Sequence, residues 1–128
     1  MKTNYSDFFQ TIIDSVADGI FTTDKSRRIT SFNRAAERIT GFTQDEAIGK
    51  LCHEVFHASI CQNACALEEA LKTGNVVIDR PLKIITKEGK TVPISVSASS
   101  LSNRNKKVIG GVETFRDLSA IEELKKEI

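Results

Sequence analysis

A chain of 128 residues, 40% of them hydrophobic, fits one globular domain with one modest core. Lys and Arg number 18 against 17 Asp and Glu, so the net charge of +1 sets up no bulk field for nucleic acid or anionic lipid, and direct nucleic-acid contact is not expected. Asp7, Asp14 and Asp18 interrupt the amino-terminal stretch and no long apolar run occurs, which argues against a signal peptide or membrane span and for a soluble, cytoplasmic segment.

Tyr5, Phe8, Phe9, Ile12, Ile13 and Val16 recur at helical spacing and predict an amphipathic helix over residues 1–17. Ile20 to Asp24 and Arg28 to Phe32 are β-branched and aromatic, and predict a hairpin turning at Lys25-Ser26. Asn33 is a good helix N-cap, with Gly41 as the stop; Thr43 and Glu46 form a capping-box pattern for a second short helix ending at Gly49. Between Leu51 and Thr73 two helices are expected. The second restarts near the Ser59–Gln62 capping pattern, places Ile60, Ala64, Leu67 and Leu71 on one face and stops at Gly74.

The remainder reads as strand: Val76 to Thr86, then Val92, Ile94, Val96 and Ala98 alternating with polar residues, then Val108 to Phe115. Pro81 and Pro93 each remove a ladder donor and belong at an edge, a bulge or a strand start. Ser95, Ser97 and Ser99 fall on the opposite face, toward solvent, and Arg27-Arg28 and Lys106-Lys107 read as solvated charge at turns. Ser119 and Glu122 suggest a capping box for a last helix. Its apolar stripe of Leu118, Ile121, Leu124 and Ile128 is still running where the chain ends, as in a segment cut from a longer protein.

The ordered set Asp18-Gly19-Ile20, Asn33-Arg34-Ala35-Ala36-Glu37, Thr40-Gly41-Phe42, Glu46-Ala47-Ile48-Gly49-Lys50, Glu88-Gly89-Lys90 and Arg116-Asp117-Leu118-Ser119 resembles the PAS (Per-Arnt-Sim) sensory domain. The resemblance implies an α+β fold: a five-stranded antiparallel sheet in the order 2-1-5-4-3, short helices over a cavity on one face, and flanking amphipathic helices that often pair in a homodimer. It divides the chain into an N-terminal helix (1–17), a core (18–117) and the start of an exit helix (118–128). The run from Glu113 to Leu124 looks like the linker that joins an amino-terminal PAS sensor to the AAA+ ATPase of NtrC-type enhancer-binding activators, and a start at Met1 without a membrane span suits that arrangement. A PAS-containing histidine kinase of a two-component system has a similar linker and is the alternative. A ligand-free dimerisation module is a third reading.

All three cysteines lie in one segment, Cys52, Cys61 and Cys65, spaced Cys-x8-Cys-x3-Cys. In a reducing compartment an odd number of cysteines argues against a permanent disulfide framework. On one helix Cys61 and Cys65 would stand a turn apart, suited to two ligands of one metal and too far apart for a disulfide. Three readings stay open: packing of small thiols, a zinc or iron–sulfur site of Cys52, Cys61, Cys65 and His57 (or His53), and a redox-switching thiol pair involving Cys52. No Cys-x-x-Cys knuckle supports the metal. Cys52 follows a Gly-x-x turn where light-sensing PAS domains carry the flavin-reactive cysteine, but Leu51, His53 and Phe56 stand where polar flavin-holding groups are needed. Haem ligation by His53 or His57 is disfavoured, since a single His beside a helix start is more often a surface or capping residue. No motif surrounds a catalytic nucleophile or acid–base pair, so a non-enzymatic input domain is expected, responding to a small molecule or redox event in the cavity.

Overall fold

Five antiparallel strands, β1 (Gly19–Asp24), β2 (Ile29–Phe32), β3 (Val77–Ile85), β4 (Thr91–Ser102) and β5 (Val108–Asp117), pair in the order β2-β1-β5-β4-β3. The computed structural model describes residues 5–57 and 65–126. Around the sheet run α1 (Tyr5–Asp14), α2 (Arg34–Thr40), α3 (Gln44–Ala47), α4 (Cys52–Phe56), α5 (Ala66–Thr73) and α6 (Ser119–Lys126). Fold and strand order are those the resemblance implied.

The local signals for the first helices act as expected. Asn33 is fully buried and all its polar atoms are used. Its Oδ1 accepts from the Ala36 and Ile20 N–H groups, both at 2.9 Å, and its Nδ2 donates to the Ile13 and Asp18 carbonyls at 2.7 and 3.0 Å. One side chain therefore caps α2 and ties it to the end of α1 and the start of β1. Gly41 closes α2 with φ +82°, a left-handed conformation open to glycine at little cost. Thr43 and Glu46 form the capping box of α3.

Strand period sets the core. Phe21, Phe32, Ile84, Ile94, Val96 and Phe115 are buried on the face that α2 to α5 cover. Phe56 of α4 stacks at 5.0 Å from both Phe21 and Phe115, the second contact edge-on at 88°. Each such pair adds about 0.5–1.5 kcal/mol beyond the area it buries. Leu67 and Ala70 of α5 complete the layer, and Gly111 lets α5 approach closely: a Cβ there would lie 2.5 Å from Leu67 Cδ1.

Pro81 sits on β3, the edge strand, next to a bulge between Val77 and Arg80. Pro93 lies on β4 just past the last pair with β5, Ile94 with Asp117, where its carbonyl accepts from the Leu118 N–H at 2.9 Å. Both prolines thus avoid a ladder position that needs their missing N–H.

Three local expectations are corrected. Cys65, expected inside a helix running from Ser59, stands in extended backbone at the N-cap of α5, whose first helical residue is Ala66. Ser59, Ile60, Cys61 and Ala64 lie outside the described residues. The last helix starts without a Ser119–Glu122 capping box: Asp117 Oδ1 accepts from the Ser119 N–H at 2.8 Å, and Ser119 is already helical. Arg27 is engaged with Glu68 at 3.2 Å rather than left to solvent, while Arg28 is exposed as expected and donates to the Gly49 carbonyl at 2.9 Å.

Candidate functional site

Residues 49–52 are stitched to the β1–β2 turn before α4 begins. Gly49 N–H donates to the Ile29 carbonyl and Ile29 N–H to the Lys50 carbonyl, both at 2.8 Å, and the Cys52 N–H donates to the Arg27 carbonyl at 3.0 Å. Cys52 is thereby fixed as the first residue of α4 with its side chain buried in the core. Arg27 reaches in the other direction as well. Its guanidinium bonds Glu68 Oε2 at 3.2 Å in the first turn of α5, the helix that Cys65 caps. A single residue, itself in a left-handed conformation with φ +67°, thus holds the start of α4 and the start of α5 together.

Beside that clamp the side chains of Cys52 and Cys65 lie within hydrogen-bonding reach of each other. Both are thiols, Cys52 buried and Cys65 half-buried against the same hydrophobic cluster. The Cys52 thiol, the Leu67 and Glu68 amides and the Arg27 charge bring the Cys65 thiol down to about 5 against the opposing effect of burial. The amides face the sulfur without making a full capping hydrogen bond. Of the two thiols, Cys65 is therefore the one whose surroundings favour the anion.

Across from the helices, Glu113 occupies the centre of β5, paired with Phe21 on β1 and Ala98 on β4. Opposed strand residues share a face, and Phe21 and Ala98 are both buried, so Glu113 points its carboxyl into the helix-covered side of the sheet. Burial pushes its pKa up to about 8, and the charge of Cys65 adds to the rise. The same wall thus favours a neutral carboxyl at Glu113 and an anionic sulfur at Cys65.

Of the residues singled out for a metal, Cys52 and Cys65 come together, and Cys61 lies outside the described residues. His57 ends α4 in a left-handed conformation, exposed, its N–H bonded to the His53 carbonyl at 3.0 Å. Among the described residues no group of three or more His, Cys, Asp and Glu is arranged to hold a metal ion. Arg27 was expected as solvated turn charge and Glu113 as the start of the linker run, neither of them in the site. The signal for Glu113 is its place two residues before Phe115, on the same strand face; for Arg27 no local signal exists, because its partner is 41 residues away.

On the outer face of the sheet, α1 covers part of an apolar groove of about 470 Å³ lined by Phe9, Ile20, Leu101, Ile109 and Val112 among others. Ser97 faces outward too, and its hydroxyl accepts from the Asp79 N–H at the β3 bulge at 3.1 Å. No helix among the described residues is long and apolar enough to cross a membrane.

A sheet in the order 2-1-5-4-3, covered on one face by short helices and leaving through a helix after β5, defines an α+β domain with its short helices segregated to one face. The sequence profile of the PAS domain matches residues 17–120, and the chain belongs to that family. It is 27% identical over 117 residues to the signal transduction histidine-protein kinase AtoS of Escherichia coli, covering 91% of this chain and 19% of the kinase. It is 26% identical over 109 residues to the probable diguanylate cyclase DgcE of the same organism, covering 84% of this chain and 10% of that protein. In three dimensions it superposes on the PAS domain of a protein from Colwellia psychrerythraea with a TM-score of 0.77 at 18% identity, covering 91% of this chain and 99% of that one. The chain thus spans a fifth or less of these two longer relatives.

Proposed function

We propose that this PAS domain is the input module of a larger signalling protein, and that α6 carries its output to an effector that follows in the same chain. The observation that carries this reading is the way α6 leaves the sheet. β5 runs into it with only Leu118 between Asp117 and Ser119, the Leu118 N–H is held by the Pro93 carbonyl, and beyond that first turn Ile121 and Leu124 stand exposed. A helix anchored to a strand at one end and carrying an unused apolar stripe is built to pass a change in sheet packing to whatever it packs against next.

In this reading the domain has no reaction of its own, and the effector is the AAA+ ATPase of an NtrC-type transcriptional activator, as the Glu113 to Leu124 linker sequence suggests. A histidine kinase effector is favoured instead by the likeness to AtoS. Both use the same output helix. Two copies pair through α1, whose Tyr5, Phe8, Phe9 and Ile12 are exposed beside the apolar groove on the sheet.

The test is to insert two residues after Lys125, which turns whatever follows by about 200° around the helix axis. Effector activity in the longer protein is expected to lose its dependence on the PAS domain. Activity that responds as before to the same stimulus would overturn the α6 output.

A further inference from the structure

Cys52 and Cys65 belong to different helices and are separated by a segment outside the described residues, yet Arg27 holds the starts of both helices at once. That arrangement brings two thiols within hydrogen-bonding reach of each other at the helical wall, one half-open to solvent and one buried. We infer that the pair is a peroxide-responsive switch in which Cys65 is the attacking thiol, Cys52 is the resolving thiol, and the oxidised state is a Cys52–Cys65 disulfide joining α4 to α5. This rests on reading the chain as an input module, and it assigns the stimulus: a hydroperoxide.

The roles follow from position. Cys65 stands at the N-terminus of α5, where the Leu67 and Glu68 amides and the Arg27 charge favour a sulfur anion, and it is the more exposed of the two. Its sulfur attacks one oxygen of the hydroperoxide: an S–O bond forms, the O–O bond breaks, and the departing hydroxide or alkoxide takes a proton from solvent. Cys65 is now a sulfenic acid, oxidised by two electrons, and the peroxide has been reduced. Cys52 is buried and so shielded from a second peroxide. Its sulfur then attacks the Cys65 sulfur, the S–S bond forms, the S–O bond breaks, and hydroxide leaves as water with the proton from the Cys52 thiol.

A consequence reaches the sheet. The Cys65 charge that helps keep Glu113 protonated disappears in the disulfide, and Glu113 lies on β5, four residues before Asp117 at the root of α6. Closing the disulfide also pulls on α5, whose Leu67 rests on Gly111 of the same strand. Both changes arrive at β5, the strand that feeds the output helix.

The test uses the 128-residue chain and its C61S variant, each reduced, then treated with stoichiometric hydrogen peroxide, quenched with alkylating agent and mapped by mass spectrometry without reduction. The expected result is a peptide linking position 52 to position 65 in both proteins, with titratable thiols falling from three to one in the parent chain. C52S should stop at a sulfenic acid on Cys65 that a cyclic 1,3-dione captures, and C65S should form no cross-link. Thiols that all survive peroxide, or a cross-link that requires Cys61, would overturn the inference. Either result leaves the α6 insertion experiment unaffected; a disulfide that forms fully without altering effector activity would overturn hydroperoxide as the stimulus, and the input-module reading falls only with the α6 insertion experiment.

Discussion

Cys65 and Glu113 carry opposite departures from ordinary acidity, and each has a pH signature. Glu113 is raised from its ordinary 4.5 to about 8, so between these values the folded state holds a proton that the unfolded chain has released, and stability falls as pH rises. Cys65 is lowered from 9.0 to about 5, so in its window the unfolded chain holds the extra proton and stability rises with pH. Where the windows overlap the two nearly cancel. The reduced parent protein is therefore expected to have almost constant stability from pH 5 to pH 8. E113Q should gain stability across that range and C65S should lose it, each by roughly 1–2 kcal/mol once the partial solvent access of both groups is allowed for. Chemical denaturation at stepped pH measures this directly, and identical slopes in all three proteins would contradict the assignment.

The elements depend on a few junction residues. Asn33 joins α1, β1 and α2 through four hydrogen bonds, so N33A should leave several buried groups unsatisfied and cost about 2–4 kcal/mol, read as a lower denaturant midpoint at unchanged slope. G111A presses a methyl group on Leu67 and should cost about 1–3 kcal/mol while also shifting α5, so that the Cys52–Cys65 cross-link forms several-fold more slowly. Caps of this kind were legible in the sequence where donor and acceptor are three or four residues apart, as at Asn33, Gly41 and Thr43 with Glu46. The start of α5 was not. The Ser59–Gln62 pattern promises a cap, while the structure uses Cys65, a residue without capping preference, because the Arg27–Glu68 pair and the burial of Ala66, Leu67 and Ala70 hold the first turn in place. The half of the site that sequence could locate is the cysteine segment; the Arg27 clamp and the Glu113 carboxyl come from contacts between distant segments, which only the folded register brings together.

Across the whole molecule, the two faces of the sheet divide the work. The helix-covered face holds the thiols, Glu113 and the aromatic cluster, and the outer face presents α1 and the apolar groove. Phe8 and Ile12 are 58% and 49% exposed, an arrangement suited to pairing two copies through α1. F8D combined with I12D should convert a dimer to a monomer in light scattering while leaving the peroxide cross-link intact; a parent chain that is already monomeric at high concentration would contradict the pairing. β5 is hydrogen-bonded to β1 and β4 and leads through Leu118 into α6, so a change on the thiol side has one strand to cross before it reaches the proposed output helix. The most direct measurement is hydrogen exchange over Ser119 to Lys126 in the reduced protein and in the protein carrying the Cys52–Cys65 disulfide. The result expected is a several-fold change in α6 amide protection on oxidation, lost in C52S; α6 exchange that stays the same while the disulfide is fully formed would contradict the link between thiol wall and output helix.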